Sequence, residues 1–223
     1  WDIEALLLGG RWFTAAERIE LSGLNPAAVI KNIDNYPAIK EWWPDTAQRK
    51  AGMRAGGGSP QQMRLVGRLA LFRMFNDRTR GLAFIDRLRA ATASLFEIEN
   101  IRLTEAKSDD KVHYSVEKGC RVVIVHSTSG GTSSAISFDV AYVCRDLLAG
   151  KNPTVISISI LPPVIDKAIQ SETQTQKEKV RANTYAWFKE DNYLGENPYW
   201  NVQYPEGANV EVVAPPFDYR FVV

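Results

Sequence analysis

The chain has 223 residues, 45% of them hydrophobic, and a formal charge of +1. That length and apolar content suffice for one sizeable core, and the near-neutral balance removes any bulk electrostatic reason to expect nucleic acid or an anionic membrane as partner. Cys120 and Cys144 make no disulfide framework, no signal-like segment opens the chain, and no apolar stretch approaches the roughly 20 residues of a membrane span, so a reducing, cytoplasmic setting is expected.

In chain order, the apolar run Ala5 to Leu8 and the Gly9-Gly10 break precede Asn25-Pro26, a helix start in which proline takes the first turn, where no N–H is needed. Ala27 to Asn32 continue that helix. Tyr36-Pro37 restarts the chain, and Ile39, Trp42 and Trp43 read as packing residues. Gly56-Gly57-Gly58-Ser59-Pro60 then makes a flexible loop leading into a helix with Val66, Leu69, Ala70 and Phe72. Phe84, Leu88, Ala91 and Leu95 mark a further helix, with Arg80, Arg87 and Arg89 on its solvated side. Residues 97 to 118 alternate around the turn Ser108 to Lys111 and read as a β excursion.

The informative unit follows. Val122 to Val125 form a short β-branched run that suits a strand covered on both faces, and Ser127 to Ser134 form a turn of small residues. Ile136, Val140, Val143, Cys144 and Leu147 then recur at helical spacing, with an end expected near Gly150. Val155 to Leu161 is the next strand, its isoleucines on one face and Ser157 and Ser159 on the other, which implies a parallel crossover. A helix over Thr173 to Glu190 carries Val180, Thr184 and Trp187 on one line, with Lys177 and Arg181 solvated. Asn192 to Asn209 reads as a long connection before strands at Val210 to Val213 and Tyr219 to Val223.

A strand, a small-residue loop and a helix place free backbone N–H groups and the positive end of a helix dipole at one point, which is the outline of a phosphate cradle. No lysine follows Gly131 as a Walker loop requires, three spaced glycines are absent, and Ser129 lacks the flanking glycines of a nucleophile elbow. No catalytic residue and no metal ligand set is therefore assigned. His113 and His126 have no partner at metal-ligand spacing, and His126 reads as a structural histidine.

Ser129-Gly130-Gly131-Thr132-Ser133-Ser134-Ala135 resembles the tubulin/FtsZ signature G-G-G-T-G-S-G, agreeing at Gly130, Gly131, Thr132 and Ser134. Gly56-Gly57-Gly58 leading to Gly67-Arg68 is similar to a second phosphate-side loop of FtsZ, and Arg181 to Ala186 and Pro216-Phe217-Asp218-Tyr219 are similar to bacterial tubulin-like proteins. The resemblance implies an α/β fold, the three-layer parallel-sheet nucleotide-binding fold of tubulin/FtsZ type. It also implies GTP/GDP as ligand, with Mg carried through the nucleotide. Gly57, Gly58, Ser129, Gly130, Gly131, Thr132, Ser133 and Ser134 become the nucleotide-binding residues, with N–H groups on phosphate oxygens and the Thr132 and Ser134 hydroxyls adding bonds.

The implied partner is the protein itself, in a head-to-tail homopolymer where a neighbouring subunit completes GTP hydrolysis. Residues 1–223 read as one partial domain, because the family's first glycine loop, base-contacting helix and acidic loop would precede Trp1 or follow Val223. Such a part should not hydrolyse GTP alone. Ser133 and Ala135 stand where the signature has glycine, which would strain either position if it needed positive φ. That departure motivates an alternative, a tubulin-like scaffold without nucleotide chemistry. A third option is an unrelated α/β enzyme holding a small phosphorylated ligand.

Overall fold

The computed structural model describes residues 25–44, 63–75, 84–94, 96–97, 120–163, 174–205 and 208–223. Helix α1 (Pro26–Lys31) opens as its sequence dictates: Asn25 Oδ1 accepts the Ala28 N–H at 3.1 Å and Pro26 needs no partner. A 3₁₀ turn (Ile33–Asn35) and a short helix α2 (Pro37–Lys40) follow, burying Ile39. Helix α3 (Arg64–Phe75) is buried along Val66, Leu69, Ala70, Leu71, Phe72 and Phe75, and α4 (Phe84–Ser94) lies on the predicted second segment. Of the β excursion expected over residues 97 to 118, all but Glu97 lies outside the described residues, as does the loop Gly56 to Pro60.

Strand β1 (Arg121–Ser127) leads through the small-residue turn into α5 (Ser133–Leu147), and β2 (Thr154–Ile160) returns parallel to β1, with Val123 beside Ile156 and Val125 beside Ile158. The helix ends where expected, with Gly150 at φ 80° closing it. Helix α6 (Gln174–Glu196) is followed by an antiparallel hairpin, β3 (Trp200–Gln203) with β4 (Asn209–Val212). Finally β5 (Tyr219–Val222) joins β2 in parallel, giving the sheet order β1-β2-β5. This is an α/β fold on a parallel sheet.

Two expectations need correcting here. The span from Asn192 is not a connection, because α6 runs on to Glu196 and Leu194 is buried; the hairpin then occupies much of the rest. The Asn, Tyr and Gly content of that stretch hides the burial of Asp191 and Leu194, three residues apart on one helical face.

Strand β1 is also not covered on both faces. Val122, Ile124 and His126 face the helices, while Val123 and Val125 on the other side are 52% and 61% exposed. Tyr219 and Phe221 lie on that same open side, and the described residues place helices on the opposite face. On the helix side Val155, Ser157 and Ser159 are fully buried.

The core is aromatic. Phe75 stacks on Tyr204 at 4.5 Å between centroids, Tyr142 stacks on Trp200 at 4.4 Å, and Phe138 stacks on Trp187 at 5.4 Å. These contacts tie α3, α5, α6 and the hairpin into one body beside the turn. Cys144 is buried, and burial pushes its thiol up to about 11, so it serves as a small apolar residue.

Candidate functional site

The turn between β1 and α5 is fixed from inside and from two neighbouring helices. Ser127 anchors its start: its hydroxyl accepts the Ser129 N–H at 3.1 Å and its carbonyl accepts the Ser133 hydroxyl at 2.9 Å. The Ser134 hydroxyl donates to the Gly130 carbonyl, and the Thr132 carbonyl takes the N–H groups of Ala135 and Ile136 at 2.9 and 3.1 Å. From α6, Asn183 Nδ2 donates to the Ser129 carbonyl at 2.8 Å, and the Thr184 hydroxyl meets that of Thr128 at 3.2 Å. From α3, Arg64 Nη2 donates to the Ser134 carbonyl at 2.8 Å.

The consequence is an asymmetry of donors and acceptors. The carbonyls of Ser127, Ser129, Gly130, Thr132 and Ser134 are all occupied, whereas the backbone N–H groups of Gly130, Gly131, Thr132, Ser133 and Ser134 have no acceptor among the described residues. Five successive donors at the head of a helix make a site of positive potential. Among the described residues the buried Ser129 hydroxyl has no hydrogen-bond partner, and Thr132 makes no side-chain capping bond.

The sequence-predicted residues fall as follows. Ser129, Gly130, Gly131, Thr132, Ser133 and Ser134 come together in this one turn, while Gly57 and Gly58 lie outside the described residues. The hydroxyl of Ser134 is fully buried on the Gly130 carbonyl and holds the turn, so it is not free to add a bond to a ligand as expected. The strain considered at Ser133 and Ala135 does not arise. Among the described residues positive φ occurs at Asn152 and Gly150, and Ser133 and Ala135 are the first and third residues of an ordinary helix.

Gly67 acquires a role that only the fold reveals. A Cβ there would sit 2.1 Å from the Gly131 oxygen and 2.7 Å from Thr132 Cα, so α3 touches the turn backbone to backbone. One turn of contacts further in, Arg68 grips Asp139 of α5 through Nε at 3.1 Å and Nη2 at 3.0 Å, and the Tyr204 hydroxyl donates to the same carboxylate at 2.7 Å. Burial alone would lower the Arg68 guanidinium, but Asp139 outweighs it and holds Arg68 above its ordinary value. Burial, with Asp139 adding to it, pushes the Tyr204 phenol well up.

Sequence reasoning missed Asp139. A lone carboxylate in an apolar helix was its signal, since at 1% exposure it requires a partner.

His126, the last inward residue before the turn, is structural. Its Nε2 lies 3.0 and 3.1 Å from the Ser157 and Ser159 hydroxyls, beneath the Trp187 ring at 5.0 Å, and burial lowers its pKa to about 4. It is a neutral imidazole packed under α6. Among the described residues no group of three His, Cys, Asp or Glu side chains is placed to hold a metal ion.

A parallel sheet whose leading strand opens through a donor-rich turn onto a helix defines an α/β protein of the kind in which ligands meet strand ends. The model of the family described as tubulin like matches residues 17–223, and the chain belongs to the tubulin-like family. No curated protein and no solved structure gave a match.

Proposed function

We propose that the Ser129–Ser134 turn binds the phosphates of GTP, and that the intact protein assembles head to tail, with GTP hydrolysis completed by a neighbouring subunit. The observation that carries this reading is the row of five N–H groups from Gly130 to Ser134 without an acceptor among the described residues, beside the occupied carbonyls of Ser127, Ser129, Gly130, Thr132 and Ser134. Family membership supplies guanine nucleotide and self-assembly as the specific expectation. The Thr132 hydroxyl and the buried Ser129 hydroxyl fit an oxygen-rich ligand at the same place. Gly57 and Gly58 would close the second side, and magnesium arriving with the nucleotide would be held by phosphate oxygens and water.

Equilibrium titration of labelled GTP tests it. Saturable binding at micromolar dissociation constant is expected, competed by GDP and weakened at least about tenfold by Thr132→Pro, which removes both the N–H donor and the hydroxyl of that residue. No saturation up to millimolar GTP would overturn nucleotide binding and leave the family fold as an interaction scaffold.

A further inference from the structure

Beside the turn, but separated from it by the first turn of α5, lies a cavity of about 750 Å³ between α3, α5, α6 and the hairpin. Its size is that of a small-molecule site. Aromatic rings of Trp42, Phe138 and Trp200 form much of the wall, and Arg68 lies over Trp42 and Trp200 at 4.9 and 5.7 Å from the ring centroids.

The polar part of that wall is biased toward donors. Asp139 is saturated by Arg68 and Tyr204, and both oxygens of Glu190 are taken by Arg64. Rim residue Glu196 accepts from Asn192 at 3.0 Å. Beside these carboxylates, of which only Glu196 has an oxygen left open, Arg68 Nη1 and the exposed Lys189 ammonium have no partner among the described residues, and Trp42 Nε1 and Arg64 Nε are buried donors without acceptors there. An occupant must bring a flat apolar body and an acceptor that is best negatively charged.

We propose that this cavity binds a small planar aromatic carboxylate, its ring against the Trp42, Phe138 and Trp200 wall and its carboxylate toward Arg68 and Lys189. A neutral aromatic would leave the donors unmet, and an ammonium would face two cations. The cavity stands whether or not the neighbouring turn holds nucleotide. An occupant would also touch Arg64, which bonds the Ser134 carbonyl, so the site lies one side chain from the turn.

Isothermal titration with 2-naphthoate, and in parallel with 2-naphthylmethylamine, tests the proposal. Naphthoate should saturate with Kd below about 1 mM, and the ammonium analogue should bind at least about tenfold more weakly. Lys189→Ala should weaken naphthoate by about fivefold, the worth of one charge-assisted contact. Leu65→Trp, which fills the cavity from α3, should abolish binding while the thermal midpoint shows the chain still folded. Lys189 is exposed, so its variant keeps the test standing should Leu65→Trp fail to fold. Absence of saturation, equal binding of the ammonium analogue, or undiminished naphthoate binding by folded Leu65→Trp would each overturn it.

Discussion

Gly67 lets α3 lie directly on the backbone of Gly131 and Thr132, and its replacement is the sharpest single-residue test of the packing. Gly67→Ala forces a methyl within 2.1 Å of a carbonyl oxygen that belongs to backbone rather than to a flexible side chain. Overpacking of this kind costs about 1 to 3 kcal/mol or more, so urea unfolding should show a loss of at least about 2 kcal/mol. A loss under about 0.5 kcal/mol would mean the helix and turn do not touch.

His126 gives a pH signature at the same scale. An unfolded chain protonates this imidazole near 6.5, the fold only near 4, so its stabilisation is complete above about pH 6.5 and is lost as pH falls between those values. The full loss is about 3 kcal/mol. The difference in unfolding free energy between wild type and His126→Gln should shrink by that order across the window, and a constant difference would contradict burial as the cause. Gly67 stood out in the sequence only beside Arg68 in the family resemblance, its contact with the turn being visible in the fold alone, whereas the structural role of His126 was legible from the lack of partners at metal-ligand spacing. Asp139 was not, because its partners lie 71 residues before it and 65 after, a relation no local pattern encodes.

At the scale of elements, α5 is the hub, and the ion pair on it is a buried one. Asp139→Asn leaves the Arg68 guanidinium uncompensated between two tryptophan rings, and breaking a buried pair in this way costs about 3 to 5 kcal/mol. Chemical denaturation should also show Tyr204→Phe costing about 1 kcal/mol, one hydrogen bond to the same carboxylate. Helix α6 acts differently, since Asn183 Nδ2 donates to the turn's Ser129 carbonyl. Asn183→Ala should therefore weaken GTP binding several-fold, while stability changes by about 1 kcal/mol at most.

Helices and strands with clean periodicity were readable: α3, α4, α5, β2 and β5 all fall where apolar spacing put them. The end of α6 and strand β3 were not, because a polar, Gly- and Asn-containing composition there conceals buried Leu194 and Tyr204, whereas β4 (Asn209–Val212) falls on the strand expected at Val210 to Val213. The two-sided burial of β1 was over-read from Val122 to Val125. A β-branched run is compatible with one covered face, and only packing distinguishes the cases.

At the scale of the molecule, the parallel order β1-β2-β5, the turn after β1 and the family match over residues 17–223 agree with one another. Each level points to the same answer, which is the mark of a sequence that specifies its fold. The proposed assembly has its own check: sedimentation of the intact protein should give a pellet with GTP and little with GDP, and identical pellets would contradict nucleotide-linked assembly. No helix among the described residues is long and apolar enough to cross a membrane.

On the proposed reading, the N–H groups from Gly130 to Ser134 donate to the GTP phosphates. Amide nitrogen and proton resonances of ¹⁵N-labelled protein, followed while GTP is added, address those groups one by one. The signals of Gly130, Gly131, Thr132, Ser133 and Ser134 should shift together and saturate with the binding curve, while that of Gly150 at the far end of α5 stays still. Saturable GTP binding with those five signals unmoved would contradict phosphate binding at the turn.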